Sequence, residues 1–367
     1  MPYILARRES LYLDILRFLA ALTVVVDHAS AVFDFRWFGG VGHHAVIVFF
    51  VLSGYVISNV AATRETAARV FIVARLARLW SVLAPAMVLT VLCDAVGRTL
   101  GRFAEPYVLS PIDHPLIRFG AAMSFLSESW VSIQPFSNFA VWSLSIEFWY
   151  YMTFAAWTFV RPPRCRRLSV LAALCFLGFK GLLLMPIWLM GVALQKTRTP
   201  LAFGPAADIL LFLLGALLFG WLVVSGVYGD AQPANARFLG EWLTRHLAEA
   251  RMFWFDWIAG LALTLHLIGA RTVTAWIPLD RIEQPIRWCA GISFAMYLFH
   301  MPLLHLLAAF LPKGQAGLGI GLTLAAIVVL GRPIERSKRW WRMALDALVA
   351  LWWPTGRIVA RNATPLA

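Results

Sequence analysis

Apolar stretches close to the length of a bilayer crossing recur along the whole chain. The first of them, residues 11–33 (LYLDILRFLAALTVVVDHASAVF), carries four ionisable groups: Asp14, Arg17, Asp27 and His28. A helix crosses the hydrocarbon core with roughly 20 apolar residues. A titratable side chain at that depth costs about 2.5–3.5 kcal/mol on insertion scales, so it faces a polar interior and marks a functional path. Arg17 and His28 lie eleven residues apart. That spacing is close to three helical turns, which puts both on one face, about 16 Å apart along the axis. A helix serving only as an anchor has no use for such groups.

The 367 residues are 60% hydrophobic and only 14% charged, too little charge for a soluble domain of this length. The composition predicts an all-α, polytopic membrane bundle with no separate soluble domain. The net charge of +13 is spread as basic residues punctuating apolar segments. It forms no single basic patch, which argues against nucleic acid as a partner. Cys93, Cys165, Cys175 and Cys289 are scattered without a C-x-x-C spacing, so neither a disulfide framework nor a metal site is expected. Arg7 and Arg8 before an apolar run, with Ala29-Ser30-Ala31 after it, resemble a cleavable leader. The run is too long for one and contains Asp14 and Arg17, so cleavage is not expected.

Hydropathy predicts about ten spans, near 11–32, 43–62, 79–97, 139–160, 168–183, 185–195, 207–228, 252–270, 288–311 and 316–331. The sixth is short for a crossing. Residues 115–128 are a candidate for partial entry, and the stretch around 341–353 for an interfacial helix. The expected division is a transmembrane domain over 1–340 and a cytoplasmic or interfacial tail over 341–367. With the N-terminus inside, twenty Lys and Arg side chains fall on the inner side, Arg198 among them, and nine on the outer side, Arg36 among them. That bias predicts both termini in the cytoplasm. The longest outer loops, 98–138 and 229–250, suit an acceptor outside the cytoplasm.

Four further constellations carry chemistry. Gly39, Gly40 and Gly42 permit an open turn before FFVLSGYVIS, where Ser53, Gly54 and Tyr55 interrupt an apolar helix. Gly54 reads either as close helix packing or as part of a site. Arg75 and Arg78 are three apart on one helix face. They read as ordinary positive-inside anchoring or as a forked grip on phosphate oxygens. Glu147 follows Trp142, Ser143 and Ser145; a carboxylate there can orient a histidine, pair an arginine, act as a base or simply reach water. Tyr297 and His300 share a face, whereas His305 lies on another. No pair of histidines four apart with a carboxylate partner is visible, so no metal is expected.

These pieces, in this order, resemble the acyltransferase-3 family of bacterial membrane-bound acyltransferases. The resemblance rests on LDILRFLAALTVVVDH, FFVLSGYVIS, Arg75-x-x-Arg78, VWSLSIEFWYY and ISFAMYLFHMPL, and covers residues 11 to about 335. It implies a bundle of about ten helices that takes an acyl group, commonly acetyl, from cytoplasmic acyl-coenzyme A. The implied acceptor is a hydroxyl of a cell-surface or exported glycan. The family's arginine-ten-histidine motif falls on Arg17 and His28. Its Arg-x-x-Arg, associated with the donor, falls on Arg75 and Arg78. Its Trp-Ser-Leu and glutamate region falls on Trp142, Ser143, Leu144 and Glu147, and its Tyr-Leu-x-His on Tyr297, Leu298 and His300. Members often close the last span with Glu-x-Pro, where this chain reads Gly331-Arg332-Pro333 with Glu335 just after. Many relatives carry a periplasmic hydrolase-like domain after the bundle; the expectation here is transfer without one.

On this reading His28 is the general base, because an imidazole with an unperturbed pKa of about 6.5 exchanges protons near neutrality. An acyl-histidine intermediate is the variant. Arg17 stabilises charge on the donor side, with Asp14 pairing it to lower its burial cost. Arg75 and Arg78 hold coenzyme A phosphates, and Glu147 orients the acceptor or tunes His28. Ser53, Tyr55, Trp142, Ser143, Tyr297 and His300 are supporting residues. Asp27 points about 100° away from His28 and is the weaker partner for it. Two alternatives stay open: a small-molecule or lipid-linked acceptor, and a multi-pass transporter, which also buries titratable groups.

Overall fold

Lipid offers no hydrogen bonds to a backbone, so a spanning chain must satisfy its peptide groups internally as helices or closed barrels. The computed structural model, which describes residues 5–35, 40–196 and 204–352, takes the first solution throughout. Arg36, Gly39, Arg198 and the tail beyond residue 352 lie outside the described residues. In chain order the helices are α1 (Arg7–Val32), α2 (Val41–Thr63), α3 (Ala68–Leu100), α4 (Pro115–Met123), α5 (Val141–Phe159), α6 (Pro163–Lys196) and α7 (Pro205–Val224). There follow α8 (Val227–Leu239), α9 (Glu241–Leu247), α10 (Phe253–Trp276), α11 (Glu283–Ala290), α12 (Ser293–Phe310), α13 (Ala316–Arg336) and α14 (Lys338–Trp352). Among the described residues the only β pairing is an isolated bridge between Glu128 and Ser132.

Eight helical stretches among the described residues are long and apolar enough to cross a membrane. The protein is therefore a multi-pass membrane protein with an all-α bundle. α5 is not among the eight. It carries Ser143, Ser145 and Glu147, yet most of its side chains are buried in the bundle. α12 is central: 83% of the most apolar window of Leu279–Phe310 is buried, against 17% for α7, which faces outward. We call the end where α1 begins the near end and the opposite end the far end.

α6 is a single helical run only nominally. Arg166 lies over Trp157 and Phe176 stacks on Trp149, whereas further on Tyr150 donates to the Gly181 carbonyl (2.8 Å) and Trp188 abuts Phe154. The partner position on α5 falls from 157 to 149 and then rises to 154, so the chain folds back at Gly178, whose φ is +75°. Glycine tolerates that conformation, and a Cβ there would come within 2.6 Å of the Ser129 backbone. The expected spans 168–183 and 185–195 are the two limbs, with the reversal a few residues earlier than hydropathy places it. α2 crosses the second limb through two glycines. A Cβ on Gly54 would run into the Trp188 carbonyl and one on Gly191 into the Val51 carbonyl. Gly54 therefore packs, while its neighbour Ser53 faces the interior cavity.

Polar anchors pin the segment between α4 and α5 to the bundle. Asn138 donates to Thr90 (3.1 Å) and to the Leu298 carbonyl (2.9 Å), and the backbone N–H of Ser137 donates to Asp94 (3.1 Å). Glu128, expected on an outer loop, is buried against Lys180 at 2.6 Å. The end of α4 and the residues just after it pack into the bundle: Trp80 donates to the Met123 carbonyl (3.0 Å) and Trp149 to that of Phe125 (2.9 Å). At the near end α14 begins at Lys338 and lays Trp341, Leu345 and Val349 on Val73 and Ala77 of α3. Away from that stripe it leaves Trp340, Met343 and Leu351 exposed, as an interfacial helix does.

Because the α2–α6 contact is backbone to backbone at Gly54, Gly54→Val must push the helices apart. Overpacking of this kind costs about 1–3 kcal/mol. We expect a lowered thermal midpoint of the detergent-purified protein, with Ser53→Ala close to the parent.

Candidate active site

α1 supplies the axis of the site. Residues Asp14, Arg17 and His28 fall on its inward side and meet four cavities arranged in file. The near-end cavity, about 240 Å³, is lined by Asp14, Arg17, Arg78, Arg287, Glu335 and Lys338 among others. It shares Arg17, Arg78, Ser293 and Phe294 with a central cavity of about 60 Å³, where Ser53, Ser143, Glu147, Tyr151 and Tyr297 also lie. The central cavity shares Val46 and Tyr297 with a far-end cavity of about 320 Å³ that is rich in polar groups. That one shares His28 and Phe139 with a second far-end cavity of about 740 Å³, lined mainly by apolar side chains. Arg17 and His28 line no common cavity, so they act at different points of the file.

His28 Nδ1 lies 2.7 Å from His300 Nε2, with the two rings nearly parallel. His300 Nδ1 lies 3.1 Å from the Met296 carbonyl. A carbonyl only accepts, so His300 carries its proton on Nδ1 and presents Nε2 as an acceptor. His28 must then donate from Nδ1, which leaves its own Nε2 unprotonated. The edge of Phe139 holds the His28 ring from the side at 4.8 Å between centroids. His300 itself is fully buried, and Tyr297 stands 6.1 Å from it, ring to ring.

A second chain of hydrogen bonds converges on Glu147. Tyr151 donates to its carboxylate. The Tyr151 oxygen then accepts from Ser53 (3.1 Å), which accepts from the Trp188 indole (3.2 Å). Ser143 and Tyr297 join across the same cavity at 2.7 Å. Glu147 thus faces Arg17 and Arg78 in the central cavity and has no hydrogen bond or ion pair to His28. The group that orients His28 is His300.

Asp14 bridges Arg17 (3.2 Å) and Arg287 (2.5 Å) at the near end. The two arginines of the Arg-x-x-Arg separate. Arg75 is buried in a two-oxygen grip on Glu65, at 2.8 and 3.0 Å. Arg78 lines both the near-end and central cavities and has no carboxylate partner among the described residues. Tyr55 lies away from all four cavities, where it donates to Glu9 and accepts from Arg271, tying α1, α2 and α10. Asp27 accepts from the backbone N–H groups of Gly40 (2.8 Å) and Val41 (3.1 Å). It caps α2, so it is no partner of His28.

The residue reading missed several lining groups. Glu335 accepts from the Ala295 N–H (3.0 Å) at the start of α12 while facing the near-end cavity beside Lys338; its place just past the missing Glu-x-Pro was the available signal. His43, Tyr228 and Glu249 line the polar far-end cavity, and His305 lines the apolar one. Only the fold brings these distant stretches to His28. Among the described residues no cluster of three or more His, Cys, Asp or Glu has the arrangement to hold a metal ion.

The bundle thus combines a basic mouth, a narrow waist and an oriented imidazole beyond it. The family model described as an acyltransferase domain matches residues 10–332 of the 367-residue chain, and the chain belongs to this acyltransferase-3 family of membrane acyltransferases. No curated protein and no solved structure matches it.

The division between Arg75 and Arg78 is testable. Arg75→Ala strands Glu65, and breaking a buried pair costs about 3–5 kcal/mol, so it should lower the folded yield and the melting temperature. Arg78→Ala should leave the fold intact and weaken binding of an anionic ligand in the near-end cavity, as read by calorimetry.

Proposed function

We propose that the protein moves an acyl group, commonly acetyl, from acyl-coenzyme A at the cytoplasmic near end to a hydroxyl at the far end. The acceptor is a glycan destined for, or already at, the cell surface. The observation that carries this is the tautomer of His28: its free Nε2 is a base set beside two cavities that open toward the far end.

The near-end cavity presents Arg17, Arg78, Arg287 and Lys338 against Asp14 and Glu335. That excess of positive charge suits the donor's phosphates, with Arg78 the freest guanidinium. The pantetheine arm then passes the central waist. At about 60 Å³ it is the smallest of the four cavities, so the waist widens as the arm threads past Glu147 and Tyr151. Arg17, about 16 Å from His28 along α1, positions the donor and does not touch the reacting carbonyl.

At the far end His28 Nε2 takes the proton of the acceptor hydroxyl as its oxygen attacks the thioester carbon. The tetrahedral intermediate collapses with cleavage of the carbon–sulfur bond, and the imidazolium returns its proton to the departing thiolate. The products are the ester and coenzyme A. His300 accepts the His28 Nδ1–H throughout, which fixes the ring and favours the imidazolium. Direct transfer needs no covalent intermediate. Excess basic residues on the near-end loops support the cytoplasmic orientation.

Purified protein supplied with labelled acetyl-coenzyme A and glycan from the producing cell should yield labelled, base-labile glycan. His28→Ala should lose about 10²–10⁴-fold of that rate at unchanged insertion, and undiminished transfer overturns the assignment. His300→Ala should slow transfer while leaving donor affinity at the parental value. Label recovered only on a small molecule moves the acceptor to that class, and substrate movement without any transfer makes the protein a transporter.

A further inference from the structure

Two cavities meet at His28, and they differ in chemistry. The larger is lined by side chains such as Val32, Phe33, Met301 and Leu311. The smaller has aromatic faces from Trp142, Tyr228 and Phe139, and hydrogen-bonding groups from Gln232, Glu249 and Arg251. Resting on the reaction proposed above, we propose that the smaller cavity is the acceptor subsite and takes a sugar ring, its reactive hydroxyl directed at His28.

Three observations carry this. First, the walls are fixed. His43 is held between Asp256 (2.9 Å) and Glu249 (3.6 Å), and its ring lies parallel to Trp142, 9° apart. Tyr228 closes against His43 and His44 at centroid distances of 5.5 and 5.0 Å. Second, the polar groups facing inward are unspent. The Trp142 indole N–H, the Tyr228 hydroxyl and the Gln232 amide make no hydrogen bond among the described residues, although Trp142 is 8% exposed. Donors and acceptors left open toward the cavity in this way suit a ligand rich in hydroxyls. Burial, with Asp256 nearby, pushes the Tyr228 phenol up, so it stays a hydroxyl. Third, the space is right. About 320 Å³ sits at the lower end of small-ligand sites, roughly 300–1,000 Å³. Aromatic faces carry negative charge density that favours the C–H face of a pyranose, while Glu249 and Arg251 offer an acceptor and a donor to its edge.

The test fills each cavity in turn. Nothing lies within 4 Å of a Cβ placed on Gly229, which lines the polar cavity, so Gly229→Leu intrudes without clashing. Ala31→Trp fills the apolar one from an exposed position on α1. Both are assayed with Tyr228→Leu, using labelled acetyl-coenzyme A and the cell's glycan stripped of esters by mild base. We expect Gly229→Leu and Tyr228→Leu to raise the KM for glycan at least tenfold while acetyl-coenzyme A binding and melting temperature stay at parental values. Ala31→Trp should leave that KM unchanged. Label extracted into organic solvent on a lipid-linked sugar and label on aqueous polymer each support a sugar subsite and tell the two sources apart. Unchanged KM in the polar-cavity variants, or a rise confined to Ala31→Trp, overturns the subsite. Failure of the unsubstituted protein to label any glycan overturns the reaction itself.

Discussion

Charge buried inside lipid must be compensated, and this one constraint organises the bundle. Lys180 with Glu128, Arg75 with Glu65 and Arg271 with Glu9 each form buried ion pairs between separate helices or segments. Such pairs add little net stability because their desolvation nearly cancels their attraction. Their effect is to fix which surfaces meet, since any other packing strands a charge. The exceptions are informative. Arg78 and Lys338 have no carboxylate partner among the described residues and both face the near-end cavity. Where the fold leaves charge uncompensated, it leaves it facing space that a charged ligand can fill.

The same reasoning explains the form of the His28 assembly. Catalytic imidazoles are commonly oriented by a carboxylate, which also stabilises the charged ring. Here the orienting partner is a second imidazole, whose own Nδ1 is tied to a backbone carbonyl. A neutral partner adds no buried charge in a segment surrounded by apolar side chains. It fixes the tautomer as well as a carboxylate does. It gives less help to the imidazolium, so the arrangement favours a step in which positive charge on His28 is brief.

Much of the fold was legible because lipid leaves so few alternatives. Apolar length marked the helices, and the ionisable groups in the first stretch marked an interior-facing side of α1. The pairing of Tyr297 and His300 on one face also followed from spacing. Hydropathy separated the two limbs of α6 but set the break between 183 and 185, a few residues past the true reversal, since both limbs are similarly apolar and only the positive φ of Gly178 marks the turn. Spacing could not separate Arg75 from Arg78. They share a face, but Glu65, on the turn before α3, claims only the first. The far-end cavities were illegible for a different reason: His28, His43, Trp142, Tyr228 and Glu249 come from five separate stretches, and no local pattern links them. Asp27 shows the converse. Its neighbour in sequence is the central histidine, yet helix geometry turns it to the N-terminus of α2.

The file of cavities also bears on how such a bundle avoids becoming a leak. A reaction joining two compartments needs a polar path, and a polar path invites water and ions. The waist of about 60 Å³ between basic mouth and imidazole is closed by Glu147, Tyr151 and Ser53, each spending its hydrogen bonds on the next. A transporter must open a passage wide enough for its whole cargo, whereas an acyl carrier needs to pass only a thin unbranched arm whose bulky, anionic head stays behind at the arginines. The constriction therefore suits transfer of a small group between two substrates that never cross. On the proposed reaction, the separation of Arg17 from His28 along α1 has the same sense: one would hold the part of the donor that stays, the other would act on the part that leaves.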